Sequence, residues 1–171
     1  MSYGKFFKMK TMVLMRHAKS SYSGDLSDFD RSLNERGNRS ATALGKWLKA
    51  NSFFPDLALV SAATRTVQTF QELKISCPLE KKKKLYLASS EEIFHQIRQI
   101  TANSLLVICH NPGISEFSQK ISSEWPSHSN FEAFPSCSTC FIDFDITDWS
   151  NLKFGTGKIK KFITPRDLGV F

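Results

Sequence analysis

Short apolar runs of four or five residues alternate along the chain with stretches in which apolar residues recur every three or four positions. That alternation predicts an α/β fold, with each run a strand and each periodic stretch a helix. Thr11–Met15 (TMVLM) reads as a strand buried on both faces. Asn34–Asn51 reads as a helix carrying Ala41, Leu44, Trp47 and Leu48 on one side, and Pro55 ends that segment. Leu57–Val60 (LALV) is the next buried strand, and Ala62–Leu73 a helix with Val67, Phe70 and Leu73 together. After the run Lys81–Lys84, Leu85–Leu87 predicts a weak strand. Ser89 and Glu92 have capping-box spacing ahead of Ile93, Ile97 and Ile100, which predicts an amphipathic helix. Leu105–Cys109 (LLVIC) is the strongest buried-strand signal, followed by His110-Asn111-Pro112-Gly113 and a helix through Ile114, Phe117 and Ile121. Phe141–Ile146, with Asp143 and Asp145 alternating, and Lys158–Ile163 predict strands with one wet face, at or near a sheet edge.

No repeat or linker divides the pattern, so 1–171 is expected to be a single domain, with 1–10 a flexible N-terminus. A domain of this length buries roughly 70% of the surface its unfolded chain exposes, enough for a core without staples. The apolar stretch Met12–Met15 is too short for a signal-peptide core, and no run approaches the length that spans a bilayer. The expectation is a soluble, cytoplasmic protein.

The chemistry gathers where predicted buried strands stop. Arg16-His17 follows the first, Ser61 ends the second with Arg65 one helical turn beyond, and His110 ends LLVIC. Ligands of open α/β sheets bind outside the carboxyl ends of the strands. If these strands are parallel neighbours, two His and two Arg converge on one edge. Guanidinium forks match the oxygens of a phosphoryl group. A neutral imidazole is a competent nucleophile for it. The chain has no Gly-rich Walker loop and no HExxH, so neither metal nor cofactor is implied.

At these residues the chain resembles the histidine phosphatase superfamily, named for its R-H-G motif, and within it the SixA-type phosphohistidine phosphatases. The matching segments are Leu14–Ser20 (LMRHAKS), Arg31–Gly37 (RSLNERG), Ser61 with Arg65, Gln68 and Thr69, His110–Gly113 (HNPG) and Pro165–Leu168 (PRDL). The resemblance implies a three-layer α/β sandwich of the phosphoglycerate-mutase-like kind, with a mixed, mostly parallel sheet between helices. It implies that His17 accepts the phosphoryl group and that Arg16, Arg65 and His110 complete the catalytic pocket. Lys19 and Asn111, within the same motifs, are expected to bind substrate. The usual Gly of the motif is Ala18 here, as in other SixA-like sequences.

Many larger members of that family carry a general-acid carboxylate for an alkoxide leaving group on an insertion, and only 44 residues separate Arg65 from His110. Asp25, Asp28, Asp30, Glu91 and Glu92 are the candidates for such an acid; each also reads as a solvated loop or helix-cap carboxylate. An imidazole, with a reference pKa of about 6.5, leaves already protonated near neutrality and needs less help than an alkoxide. The expected substrate is therefore a phosphorylated protein bearing phosphohistidine. The alternatives are a small phosphate ester, another phosphoprotein, or a non-catalytic phosphoprotein-binding module.

Composition alters little in this picture. The net charge of +7 admits an acidic or phosphorylated partner. The Lys81–Lys84 run reads as a solvated loop or strand edge and lacks the interleaved aromatics of a nucleic-acid groove, so neither nucleic acid nor membrane is expected as partner. Cys137 and Cys140 have C-x-x-C spacing, but without further ligands nearby they read as structural thiols. Trp125, Phe131 and Phe134 either line the rim of the site or pack a loop onto the sheet.

Overall fold

The apolar runs become strands, and the periodic stretches become helices, in a computed structural model that describes residues 9–22 and 24–171. In chain order the elements are β1 (Lys10–Arg16), α1 (Glu35–Ala50), β2 (Leu57–Ser61), α2 (Thr64–Leu73), β3 (Leu79–Lys82), α3 (Ser90–Ile97), β4 (Ser104–Cys109), α4 (Gly113–Ile121), β5 (Thr139–Phe144) and β6 (Lys158–Ile163). One sheet runs β3-β2-β4-β1-β5-β6. Its first four strands are parallel, while β5 and β6 pair antiparallel.

Strand periodicity divides the core in two. Val13 and Met15 of β1, with Leu106 and Ile108 of β4, face Ala41, Leu44 and Leu48 of α1 and Phe70 and Leu73 of α2. Met12 and Leu14, with Leu105 and Val107, face Ile93 and Ile97 of α3 and Ile114, Phe117 and Ile121 of α4. The molecule is thus a three-layer α/β sandwich, as expected. Each fully buried side chain of this size contributes about 1.5–3 kcal/mol relative to exposure. The two-sided burial of β1, β2 and β4 is why their sequences run apolar without alternation. No helix among the described residues is long and apolar enough to cross a membrane.

Several boundaries differ from the expected ones. The flexible terminus expected over 1–10 lies, for 1–8, outside the described residues. Lys10 is not free: it opens β1, and its Nζ donates to the Ala102 carbonyl (3.0 Å) and Asn103 Oδ1 (3.1 Å). The strand expected at Leu85–Leu87 is absent; the edge strand β3 is instead Leu79–Lys82, half of the lysine run. Its single pairing, to β2, leaves most of its length in solvent, so no apolar signal marks it. Leu85 closes a 3-10 turn instead, and Leu87 has a positive φ. α2 begins at Thr64 rather than Ala62, and β5 is displaced to Thr139–Phe144, leaving Asp145 and Ile146 beyond it. Half of the capping box forms: Ser89 Oγ accepts from the Glu92 amide (3.2 Å), while Glu92 Oε1 accepts from Gln96 Nε2 (2.6 Å).

Two glycines permit close approaches that shape the site. A Cβ at Gly37 would lie 2.1 Å from the Lys19 carbonyl oxygen, and one at Gly113 would lie 1.8 Å from that of Ala88. The first lets α1 abut the loop after β1, and the second seats the start of α4 beside the loop before α3.

Candidate active site

The register of the parallel strands assembles the site. β1 and β4 are neighbours with Arg16 opposite Cys109, so His17 and His110 emerge side by side, ring centroids 5.1 Å apart. The His17 amide donates to the Cys109 carbonyl (3.1 Å) and fixes the two strand ends together. On the other side of β4, Ser61 ends β2, and its Oγ lies 2.7 Å from His110 Nε2. Arg65, in the first turn of α2, is buried at 2% exposure and bridges both imidazoles. Its Nε donates to His17 Nε2 (3.2 Å) and its Nη2 to His110 Nδ1 (3.2 Å). All four residues expected to form the catalytic set therefore meet at one sheet edge. They line a cavity of about 270 Å³ that also includes Lys19, Tyr22, Asp28, Arg31 and Asn111.

These contacts fix the proton positions. His17 Nδ1 faces the Ala18 carbonyl at 2.8 Å and must donate to it, which leaves the lone pair on Nε2. Burial pulls the His17 pKa from 6.5 down to about 3, and Arg65, Arg16 and Arg31 add to the effect. His110 falls to about 3 as well, through burial and then through His17 and Arg65. At neutral pH both rings are uncharged, and Nε2 of His17 is a free base aimed at the guanidinium of Arg65. Arg16 donates through Nη1 to the Phe134 carbonyl (3.1 Å), while its buried Nε has no partner among the described residues.

Residues of the matched segments that carry no reactive group hold this frame. Thr69 Oγ1 accepts from the Ala18 amide (3.0 Å) and donates to the Arg65 carbonyl (2.7 Å), tying the His17 loop to α2. Gln68 Oε1 accepts from the Leu33 amide (2.8 Å). Asn34 caps α1 by accepting from Gly37 N (2.8 Å), and its own amide donates to the Lys19 carbonyl (3.0 Å). Ala18 is buried and outside the positive-φ region, so the position does not require the glycine usual in the motif. Asn111 lines the cavity, yet its Nδ2 donates to the carbonyls of Ala133 (3.0 Å) and Phe134 (3.2 Å), so its amide nitrogen braces the neighbouring loop.

Among the candidate acids only Asp28 reaches the cavity. Its Oδ2 accepts from Tyr86 Oη (2.6 Å) and Arg65 Nη2 (3.0 Å), and its Oδ1 from Arg31 Nε (3.0 Å). The Tyr86 hydroxyl, then Arg65 and Arg31, hold its carboxyl at about 2. Asp30 instead takes the Ser27 hydroxyl (2.6 Å), Glu91 pairs with Lys120 (2.6 Å), Glu92 takes Gln96, and Asp25 is an exposed turn residue outside the cavity lining. Tyr86, whose ring stands edge-on to His110 at 5.5 Å, and Arg31 are site residues that pattern reading missed. Tyr86 follows an exposed lysine run and carries no periodic signal; Arg31 lies within a matched segment, which was the available clue. Trp125, Phe131 and Phe134 do not line the cavity: Phe131 and Phe134 are buried beneath Phe162, and Phe134 reaches the site through its carbonyl oxygen. Cys137 and Cys140 are free, buried thiols, the former raised to about 12 by burial.

Guanidiniums and a free-base imidazole at the carboxyl ends of parallel strands offer hydrogen-bond donors and positive charge that suit an oxyanion. The profile of the histidine phosphatase superfamily (branch 1) matches residues 12–86, a span that holds Arg16, His17 and Arg65. An uncharacterized protein of Mycobacterium leprae is 30% identical over 164 residues, covering 89% of this chain and all of that one. An uncharacterized protein of Mycobacterium tuberculosis is 40% identical over 103 residues, 59% of this chain and 65% of the relative, so the match spans just under two thirds of that protein. The structure of a SixA protein from Nakamurella multipartitia superposes with a TM-score of 0.82 at 26% identity, covering 92% of this chain and 96% of that one. The chain belongs to the histidine phosphatase superfamily.

Proposed function

We propose that this protein is a cytoplasmic phosphatase that removes phosphate from phosphohistidine in another protein, by way of a phosphohistidine formed on His17 and without metal or cofactor. The observation that carries the substrate choice is the state of Asp28. It is the one carboxylate among the described residues lining the cavity, and two arginines and Tyr86 hold it ionised. An alkoxide leaving group needs a protonated acid in that place, whereas an imidazole does not. The name of the Nakamurella relative, a phosphohistidine phosphatase SixA, points the same way.

In the reaction so read, Arg16 and Arg65 take the phosphoryl oxygens and His17 Nε2 attacks phosphorus in line. The P–N bond to the substrate imidazole breaks, and that imidazole leaves with its proton. Water then attacks the phosphoryl on His17, releasing inorganic phosphate and restoring the free base. His110, anchored by Ser61, stands against the transferring group, and Lys19 adds positive charge at the mouth. Phosphate release from a phosphohistidine protein and from p-nitrophenyl phosphate, measured side by side with EDTA, tests the reading. Fast release from the first alone is expected. Release mainly from the ester would make the protein a general phosphomonoesterase, and release from neither would leave a phosphoprotein-binding module.

A further inference from the structure

A second hollow of about 360 Å³ opens beside the His17 cavity and shares three of its wall residues, Arg16, Lys19 and Ser136. Arg36 from the first turn of α1 and Arg166 from the turn after β6 complete it, with Asn130 and Thr164 between them. Four cations line the hollow and no carboxylate does. The nearest acids in sequence, Glu35 and Asp167, lie outside its lining. Asp167 Oδ2 accepts from the Thr164 amide (2.7 Å), the Thr164 hydroxyl (2.8 Å) and His128 Nε2 (3.1 Å). Glu35 lies 4.0 Å from Arg39. Lys19, Arg36 and Arg166 have no ion pair among the described residues.

The fold gives no reason for this gathering. A cation in the first turn of a helix opposes the helix dipole, and Arg36 sits there in a hollow lined by three further positive side chains. Neither Arg36 nor Arg166 uses its guanidinium in any hydrogen bond among the described residues, and both side chains are exposed. A local rule broken without a structural return marks a site kept for a ligand. The ligand must be anionic and must reach the hollow while the phosphoryl group occupies the adjoining cavity.

We propose that this hollow is a recognition subsite for a carboxylate side chain carried next to the phosphohistidine on the partner protein. The inference rests on the phosphohistidine reading above and narrows its substrate to phosphohistidines in acidic surroundings. The long arginine and lysine side chains act as point anchors at the mouth of the site, so they govern capture rather than the chemical step.

The test uses two synthetic phosphohistidine peptides that differ only in the flanking positions, Glu in one and Gln in the other. Wild type is expected to process the Glu peptide with kcat/KM about ten-fold higher, the difference lying in KM and shrinking as salt is raised. In an Arg36→Glu/Arg166→Glu variant the preference is lost or inverted, while Arg36→Lys/Arg166→Lys retains most of it. Thermal unfolding of each variant checks that the fold persists. Equal turnover of the two peptides by wild type, or a preference that survives charge reversal, overturns the subsite alone. Hydrolysis of neither peptide removes the phosphohistidine reading and the subsite with it.

Discussion

The two halves of the sheet differ in strand direction and in burial, and they do different work. In the parallel half, β1, β2 and β4 are buried on both faces and all point their carboxyl ends the same way, so Arg16, His17, Ser61 and His110 arrive together. In the antiparallel half, β5 leaves Phe141 and Asp143 half-buried, β6 exposes Lys158, Lys160 and Lys161, and neither strand contributes a side chain to the cavity. The turn leading into β5 serves mechanically: the Cys137 amide donates to the carbonyls of Arg16 and His17 (3.1 Å each), and the Arg16 amide to the Ser138 carbonyl (3.1 Å). Parallel direction and two-sided burial together mark the strands that hold the chemistry.

Substitutions separate the two roles. Arg65→Lys keeps a charge but cannot bridge both imidazoles and a phosphoryl group, so kcat/KM should fall about 10²–10³-fold with the fold retained. Steady-state assays alongside circular dichroism check this. A loss smaller than five-fold would show that the fork is dispensable.

Acid stability should also belong to the parallel half. His17 and His110 titrate near 6.5 unfolded and about 3 folded, so the unfolded state binds the extra protons. Stability is then complete above about 6.5 and lost as pH falls through that value toward 3. By pH 5 each imidazole should cost about 2 kcal/mol. Urea unfolding at pH 8 and pH 5 measures it in anion-poor buffer, and His17→Asn or His110→Asn should each flatten the slope.

Asp28→Asn should leave phosphohistidine turnover within about ten-fold and its pH profile between 5 and 9 unaltered, because the ionised carboxylate has no proton to give. Loss of 10² or more with an altered alkaline limb would make Asp28 the general acid after all. The smallest effect is expected in the antiparallel half. Asp143→Ala removes the 2.9 Å hydrogen bond from Thr11 Oγ1 and should cost about 0.5–1.5 kcal/mol of stability while leaving kcat/KM within two-fold.

The same contrast sets what the sequence disclosed. Double-sided burial leaves unbroken apolar runs, so β1, β2 and β4 were legible, and with them the reactive residues at their ends. β3 was not, since an edge strand made of Leu79, Glu80, Lys81 and Lys82 has no buried face to announce it. Tyr86 and Asp28 were illegible as a pair because loops 58 residues apart in sequence bring them together. Which carboxylate would meet Arg65 was likewise a matter of loop path, and five candidates stood equal until the structure chose Asp28.

The central claim is that His17 carries the phosphoryl group. Wild type and His17→Ala, mixed with a ³²P-phosphohistidine protein and quenched within milliseconds, test it directly. The account predicts label on the wild-type chain, approaching one phosphoryl per molecule, stable in alkali and labile in acid, with none on the variant. Turnover without labelled enzyme, or equal labelling of His17→Ala, would contradict it.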